Sequence, residues 1–542
     1  KTNMLTQRIT PILFTGMLTF HVSPTPAQDS LLLRDYQFVK QQDVWLTGRN
    51  NAALTRFASQ NIVEAEAALT KGNGSFVDYY QSSNTLEADV HIESIYRLNA
   101  RTVFFGAIQY NNWSGRNMTG SAFIDPTRKP FNLTEDSLSN AGKKHRDTYK
   151  LTGGFGVDVY QGLSLGARID YTSANYAKYK DLRHKNKLMD LSVTAGVYAP
   201  ITAWLNVGAD YNYHRNTESL EFATYGKSEK VYKTLIDYGS FMGAVEQFGN
   251  EGYTDKTREM PLFEDAHGGS AQIEVLPMSG LSVFGSITFS HGTGYYGRKS
   301  PYTITYTNHT RDITKASLSL AHRLSSTSRH RLDFSFAQEK VNNKAETFRA
   351  LTNQNGATYF DYYDPTETGD KRWRDLNIGY TLYWGINGEL PTWTIAANYH
   401  WMQRQQQAYL FPYYRQQQLS YNAMELRCMR NFVCQKGVWT VSVNGGFQKG
   451  SGEPFEDGTF VTPSSKQTAP ATMNAFLWQE YQYLTAAQYN IGLGVKYAFI
   501  FPGTRLKTHC SASVDYRKAN ELFSEYGGKR HTTYGIAIGC TF

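Results

Sequence analysis

The chain has only four cysteines in 542 residues, and the first of them is Cys428. That is too few for a disulfide scaffold at this length, and none of the spacings suits zinc. No cysteine stands near the N-terminus to carry a lipid. Cys428, Cys510 and Cys540 instead fall in register with apolar neighbours on strand patterns, and a Cys510–Cys540 bridge stays open as an alternative. Long apolar runs are missing too. Beyond residue 27 no stretch of about 18 apolar residues occurs, so no helix is expected to span a bilayer. Charge bias is also slight: 55 Lys and Arg stand against 47 Asp and Glu, a net +8. With no basic cluster, nothing marks a nucleic-acid partner. There is no HExxH, no Gly-rich phosphate loop and no GxSxG, and Ser, His and Asp are scattered. The chain therefore reads as a non-enzyme, with no catalytic residues, metal ligands or cofactor.

What is abundant is aromatic: 38 Tyr and 30 Phe. Many aromatics without long apolar runs suit a membrane barrel, which needs apolar residues only at alternate positions plus interfacial girdles. The segment "TLEADVHIESIYRL" (85–98) shows that alternation. Leu86, Ala88, Val90, Ile92, Tyr96 and Leu98 lie on one face of a strand, and Glu87, Asp89, His91, Glu93 and Arg97 on the other. The scheme repeats across eight tight turns, "NA", "QG", "APITA", "PMSG", "SSTSRH", "GINGELP", "CQKG" and "IFPGT". With an opening strand "IVEAEAAL" (62–69) and a closing one, the count is 18.

Longer links alternate with the turns, at 71–84, 112–146, 177–186, 216–265, 293–309, 343–371, 404–417, 449–485 and 518–530. Short turns at one end and long loops at the other are the pattern of an outer-membrane barrel. The expectation is an all-β chain forming a single transmembrane antiparallel β-barrel of about 18 strands, with 16 or 14 as alternatives. Its short turns face the periplasm and its long loops the exterior.

The first 27 residues, with Lys1, Arg8, an apolar run from Ile9 to Phe20 and small residues to Ala27, have the layout of a signal peptide. Residues 28–60 then form a periplasmic N-terminal segment and candidate plug, and 61–542 the barrel in the cell outer membrane. A capped helix under the barrel is the equal alternative for the plug segment. The polar face becomes the lumen, with Glu87, Asp89, His91, Glu93, Arg97, Arg168, Asp170, Arg427, Arg505, Lys507 and His509 as lining candidates. A plain polar lining that wets or braces the barrel competes with a specific site.

Two loops draw further expectations. "KVYKTLIDYGSFMGAVEQF" (230–248) carries apolar residues at spacings of three and four, one face of a helix, which would either constrict the pore or lie as a lid. The "RQQQ" repeated on both arms of 402–420 predicts a projecting hairpin of paired polar strands. "DPTETGD" (364–370) reads as a structural turn rather than a calcium loop.

The closing stretch "YGIAIGCTF" puts Tyr534, Ile536, Ile538, Cys540 and Phe542 on one face. It resembles the C-terminal assembly signal of bacterial outer-membrane proteins, which implies the barrel-assembly machinery as a partner through strand addition and lipid as the surrounding solvent. The whole chain resembles Bacteroidota outer-membrane barrels of unassigned function, which accompany TonB-dependent uptake systems. "RNNAAL" (49–54) also resembles, in part, the "NPAGL" element at the N-terminal hatch of FadL-like barrels. These resemblances imply a porin-like channel or uptake component for small polar solutes or nutrients. The alternative is a closed scaffold docking a surface lipoprotein, a TonB-dependent receptor or a secretion partner.

Overall fold

The computed structural model of the chain describes residues 31–135, 140–225, 232–248, 260–520 and 528–542. The signal-peptide expectation at 1–27 lies outside them. Eighteen strands form one closed antiparallel sheet. They are β1 Ile62–Asn73, β2 Asn84–Arg97, β3 Thr102–Met118, β4 Gly142–Tyr160, β5 Leu163–Lys178 and β6 Arg183–Thr202. Next come β7 Leu205–Ala223, β8 Met260–Met278, β9 Leu281–Ser300, β10 Thr303–Ser325, β11 Ser328–Ala345 and β12 Thr366–Asn387. The last six are β13 Leu390–Leu410, β14 Tyr413–Cys434, β15 Gly437–Thr459, β16 Gln488–Ile500, β17 Lys507–Ala519 and β18 Arg530–Thr541. Each pairs with its sequence neighbour, and β1 closes on β18 with Leu69 opposite Ile536. Val63 and Phe542 exchange both backbone hydrogen bonds (2.8 and 3.1 Å), so the C-terminal strand has no open edge. A closed barrel is the one sheet that leaves no backbone group unsatisfied in lipid.

Alternation separates the two faces. On β2 the outward Leu86, Val90 and Ile92 are 47%, 45% and 42% exposed, while the side chains between them point to the interior. Tyr534, Ile536, Ile538 and Phe542 are likewise exposed on the outer face. A contiguous belt of bare aliphatic and aromatic side chains is costly in water and suits hydrocarbon. The four cysteines are free, and register sets Cys510 opposite Ile538 rather than Cys540. Tight connections use local turn chemistry: Gln161 and Gly162 both take positive φ (47° and 87°), the two-residue turn whose twist matches that of the strands it joins.

At the other end of the barrel several expected long loops are strand instead. Links 177–186, 293–309 and 404–417 shrink to residues 179–182, 301–302 and 411–412. The strands run on past the lipid-facing belt, where inner residues such as Tyr296 and Ala408 pack on the cap and the lipid-against-water alternation is lost, yet the backbone ladder continues. In the RQQQ hairpin Gln405, Gln406 and Gln407 pair with Gln418, Gln417 and Gln416, and their amides bond each other at 2.7 to 3.4 Å.

The helix expected within 230–248 is a β-hairpin, Tyr232–Gly239 with Met242–Phe248, turning through positive φ at Ser240 (52°) and Phe241 (56°). Gly243 allows it, since a Cβ there would lie 1.7 Å from the Ile236 carbonyl oxygen. This hairpin joins Asn132–Glu135 and Ala471–Thr472 in a four-stranded cap sheet. Leu235 is buried, and Ile236 and Met242 belong to an apolar core at the barrel mouth with Phe131, Leu220, Leu262 and Tyr296. Within the expected long link 449–485, the stretch "AFLWQEYQYL" lies in a helix, Asn474–Thr485. Its Phe476 and Leu477 are fully buried beside Tyr79 and Phe241.

Candidate functional site

The interior is occupied from both ends. At the end with the tight turns, residues 31–60 fold inside the barrel as a short helix, α1 Tyr36–Gln41, followed by two 3-10 turns, Val44–Thr47 and Asn51–Arg56. Aspartates start the first two pieces: Asp35 accepts from Phe38 N–H (2.8 Å) and Asp43 from Trp45 N–H (3.0 Å), the ordinary N-cap arrangement. Asn50 does the same for the third, accepting from Ala52 N–H at 3.2 Å. Trp45 is 3% exposed, packs edge-on against Tyr198 and Phe284, and donates to Glu274 (2.9 Å). Arg56 reaches Asp43 (2.7 Å) and the Tyr198 hydroxyl (2.9 Å).

The barrel wall is shaped to receive this segment. Gly156, Gly166 and Gly196 stand directly opposite one another on β4, β5 and β6. A Cβ on Gly156 would lie 2.4 Å from the Asn51 carbonyl oxygen, one on Gly166 2.2 Å from Ala52 N, and one on Gly196 2.1 Å from Asn50 Oδ1. The glycine row is thus the seat of the Asn50–Ala52 stretch. Asn50 fixes the register by donating to the carbonyls of Val197 (2.9 Å) and Ala209 (3.3 Å) and to Gln272 (3.0 Å).

Most sequence-predicted lining residues point inward, but they do different work. Glu93 accepts from Lys40 (2.5 Å), with His91 beside it at 3.3 Å. Arg97 holds the backbone carbonyls of Thr55 (2.8 Å) and Phe57. Lys507 holds those of Leu32 (3.0 Å) and Arg34. Three of the eleven candidates therefore grip residues 31–60 directly. His509 bonds Glu66 at 2.9 Å. Glu87 and Asp89 share Asn111 (2.5 and 3.1 Å), and Arg168 is forked onto Asp170 at 2.8 Å. Arg427 lies 3.7 Å from Glu425 in a separate cavity. Arg505 is a correction: it is exposed in the turn before β17, because that strand begins at Lys507 and period two was extended into a turn.

From the other end the loop after β3 dips into the barrel. Its Arg128 bonds Asp375 on β12 (2.9 Å) and lies over the Trp373 ring. Lys129 pairs with Glu218 on β7 (3.0 Å). Between this loop and the lower segment are cavities of about 400 and 710 Å³ that share Asp190, His214, Ser290 and Ile313. Their walls carry hydroxyls in chains: Ser286 meets Ser317 (2.7 Å) and Thr288 donates to Ser270 (3.0 Å). Charges of both signs line the larger cavity, Arg49, Lys315 and Arg331 with Asp190, Asp210 and Asp333. Among the described residues no group of three or more His, Cys, Asp or Glu side chains is placed to hold a metal ion.

Above this space a buried ionic cluster ties the cap to the strands. Arg404 forks onto Glu480 (2.9 and 2.5 Å) and donates to Gln417 (2.7 Å). Beside it, burial and the neighbouring Glu480 push the Asp78 carboxyl well above its ordinary range. Sequence reasoning missed Trp45, Arg128 and this cluster, and it marked Asn50 only within the RNNAAL motif. The inward glycines, small residues recurring on the polar face of neighbouring strands, were a second legible sign of the seat.

The chain belongs to a family described as being of unknown function, DUF6850, which matches over residues 52–542. No curated protein matches it. Among solved structures it is similar to BauA, the ferric preacinetobactin receptor from Acinetobacter baumannii, at 9% identity, covering 90% of this chain and 80% of that one with a TM-score of 0.40. It is also similar to the alcaligin outer-membrane receptor FauA from Bordetella pertussis (8% identity, 88% and 76% covered, TM-score 0.39). A Pseudomonas aeruginosa FadL homologue is a third (11% identity, 91% of each chain covered, TM-score 0.32).

Proposed function

We propose that the protein is an outer-membrane barrel that passes small polar solutes, and that its N-terminal segment is a plug that gates the route. In this reading residues 1–27 are a leader and 28–60 the plug. The strand ending at Phe542 is the assembly signal offered to the barrel-assembly machinery. One observation carries the proposal: residues 31–60 are seated on a row of wall glycines and gripped by Glu93, Arg97 and Lys507, with a hydroxyl-rich cavity above them. The contact is part apolar, with Tyr36, Val39, Leu54 and Phe57 packed on Ile62, Ile95 and Val103, and part polar, where the wall side chains that grip the segment can bond water once it leaves.

The test is single-channel conductance in a planar bilayer for the intact chain and for a version lacking residues 29–60. Silence from the first with steady steps from the second is the expected pair of results. A second reading, a closed scaffold that docks a surface lipoprotein or TonB-dependent receptor, is favoured by the cap sheet and helix packed into the mouth. Silence from both forms would favour that reading and sink the channel.

A further inference from the structure

A third cavity, of about 700 Å³, lies on the opposite wall, formed by β14 to β18 with β3 to β5 and the residues just after β1. Its composition differs from that of the space above the plug. Rings of Phe76, Tyr80, Trp113, Tyr176, Tyr483 and Tyr516 line it. Between them stand planar polar groups: Glu425, Arg427, Asn444, Asn490, Asp515 and Arg517.

These groups are arranged rather than scattered. Asn444 donates to Asp515 (3.3 Å) and Arg517 to the Tyr483 hydroxyl (2.8 Å). Glycines make room for them: a Cβ on Gly492 would lie 2.1 Å from Asp515 and 2.3 Å from Asn444, and one on Gly446 2.2 Å from Asn490. Arg146 sits over the Trp113 ring at 5.5 Å. Arg427 and Glu425, 3.7 Å apart, remain 60% and 40% exposed and free to turn toward a ligand.

We propose that this cavity binds a neutral oligosaccharide, which names the solute class for the channel proposed above and rests on that reading. Three features select it. A simple anion would face Glu425 and Asp515, and a simple cation would face three arginines, so neither sign is favoured. A hydroxyl donates and accepts at once, so vicinal hydroxyls satisfy carboxylates, amides and guanidinium groups together. Aromatic faces then take the C–H faces of pyranose rings, amphipathic surfaces of matching size. An aliphatic ligand would strand the polar groups unpaired, a loss that buried polar sites make large. The volume falls in the ~300–1,000 Å³ range of pockets that enclose a whole ligand.

The experiment is isothermal titration of the full-length barrel in detergent with maltotriose, cellotriose, xylotriose and mannotriose, and with triglycine as a zwitterion of similar length. At least one trisaccharide is expected to bind saturably. Trp113→Ala and Asp515→Asn should each weaken that binding about tenfold or more, while Trp113→Phe stays within about threefold of the parent. Heat-modifiable migration on gels monitors folding, and the near-isosteric Asp515→Asn carries the test if Trp113→Ala does not fold. Absence of binding across the four sugars, binding of triglycine alone, or unchanged binding in both variants overturns the assignment. Liposome flux separates this site from the channel reading: binding without flux leaves the site and removes the channel, and flux without binding does the reverse.

Discussion

The glycine row gives the most direct perturbation of the plug. Gly166→Val adds a side chain that points into the barrel, with its Cβ 2.2 Å from Ala52 N and 2.4 Å from the Asn51 carbonyl carbon. These are backbone atoms of a buried turn, so no rotamer change relieves the contact. Valine is itself a good strand residue, and with the plug displaced its position opens onto empty lumen. The substitution should therefore leave the barrel as stable as before. It should disfavour the docked plug by the cost of overpacking, about 1–3 kcal/mol, which raises the undocked-to-docked ratio roughly 5- to 150-fold. In a planar bilayer Gly166→Val should give brief openings with the step size of the form lacking residues 29–60. Trypsin should cut more readily at Arg49 and Arg56. Gly106→Val is the control, because among the described residues a Cβ there would meet only the Thr152 carbonyl oxygen, at 3.9 Å. If Gly166→Val stays as silent as the parent while the deletion conducts, the seat does not hold the plug and the steric reasoning fails.

Two further perturbations address the cap. Burial pushes the Asp237 carboxyl up to about 6, against the pull of the nearby Lys371 ammonium. Because its folded value lies above its unfolded one, the associated stability is full below the unfolded value near 3.8 and is lost as pH rises through about 6. Hydrogen exchange of the amides of 232–245 should therefore quicken from pH 4 to 7 beyond its intrinsic dependence, and Asp237→Asn should abolish the excess; an equal excess in the variant would refute the assignment. Arg404→Ala strands Glu480, which is only 6% exposed, and breaking one half of a buried pair costs about 3–5 kcal/mol. Chymotrypsin cleavage within 474–485 should accelerate, and Arg404→Met combined with Glu480→Met should recover most of the protection; an Arg404→Ala protein as resistant as the parent would count against the cluster as the tie.

The barrel was legible because period two has a physical source that local sequence records. Lipid outside and water inside demand opposite chemistry at successive residues, and 85–98 obeys that rule except at Ser94 and Ile95, where Ile95 turns inward onto the plug. Where both faces are polar, as in 403–418, the same ladder continues without leaving a mark, so strand length was underestimated there. The 230–248 segment misled for a related reason. Its apolar residues at spacings of three and four also serve a hairpin buried on both faces, and the deciding features, positive φ at Ser240 and Phe241 and the tight approach at Gly243, depend on the partner strand. Arg505 failed by one turn's length. The plug seat was half legible: Asn50 and Asn51 stood out as a motif, but their partners lie more than 100 residues away. Only the fold brings the inward glycines of β4, β5 and β6 into one row.

Charges of both signs line the lumen, and several of them are paired where they stand. Arg168 holds Asp170 and Arg331 holds Asp333, in each case two residues along the same strand. Asp190 is hydrogen-bonded by His214 and Asn216, and Asp375 is paired with Arg128 from the inward loop. Each pair projects a dipole that falls off within a few ångströms, rather than a ring of one sign that would reach across the lumen and sort ions. A wall of local dipoles and hydroxyl chains remains well hydrated while exerting little net force on a charge. That is the lining expected where the passing solute is uncharged and is recognised by hydrogen bonds, and it is the same logic by which the aromatic cavity on the far wall discriminates against simple ions.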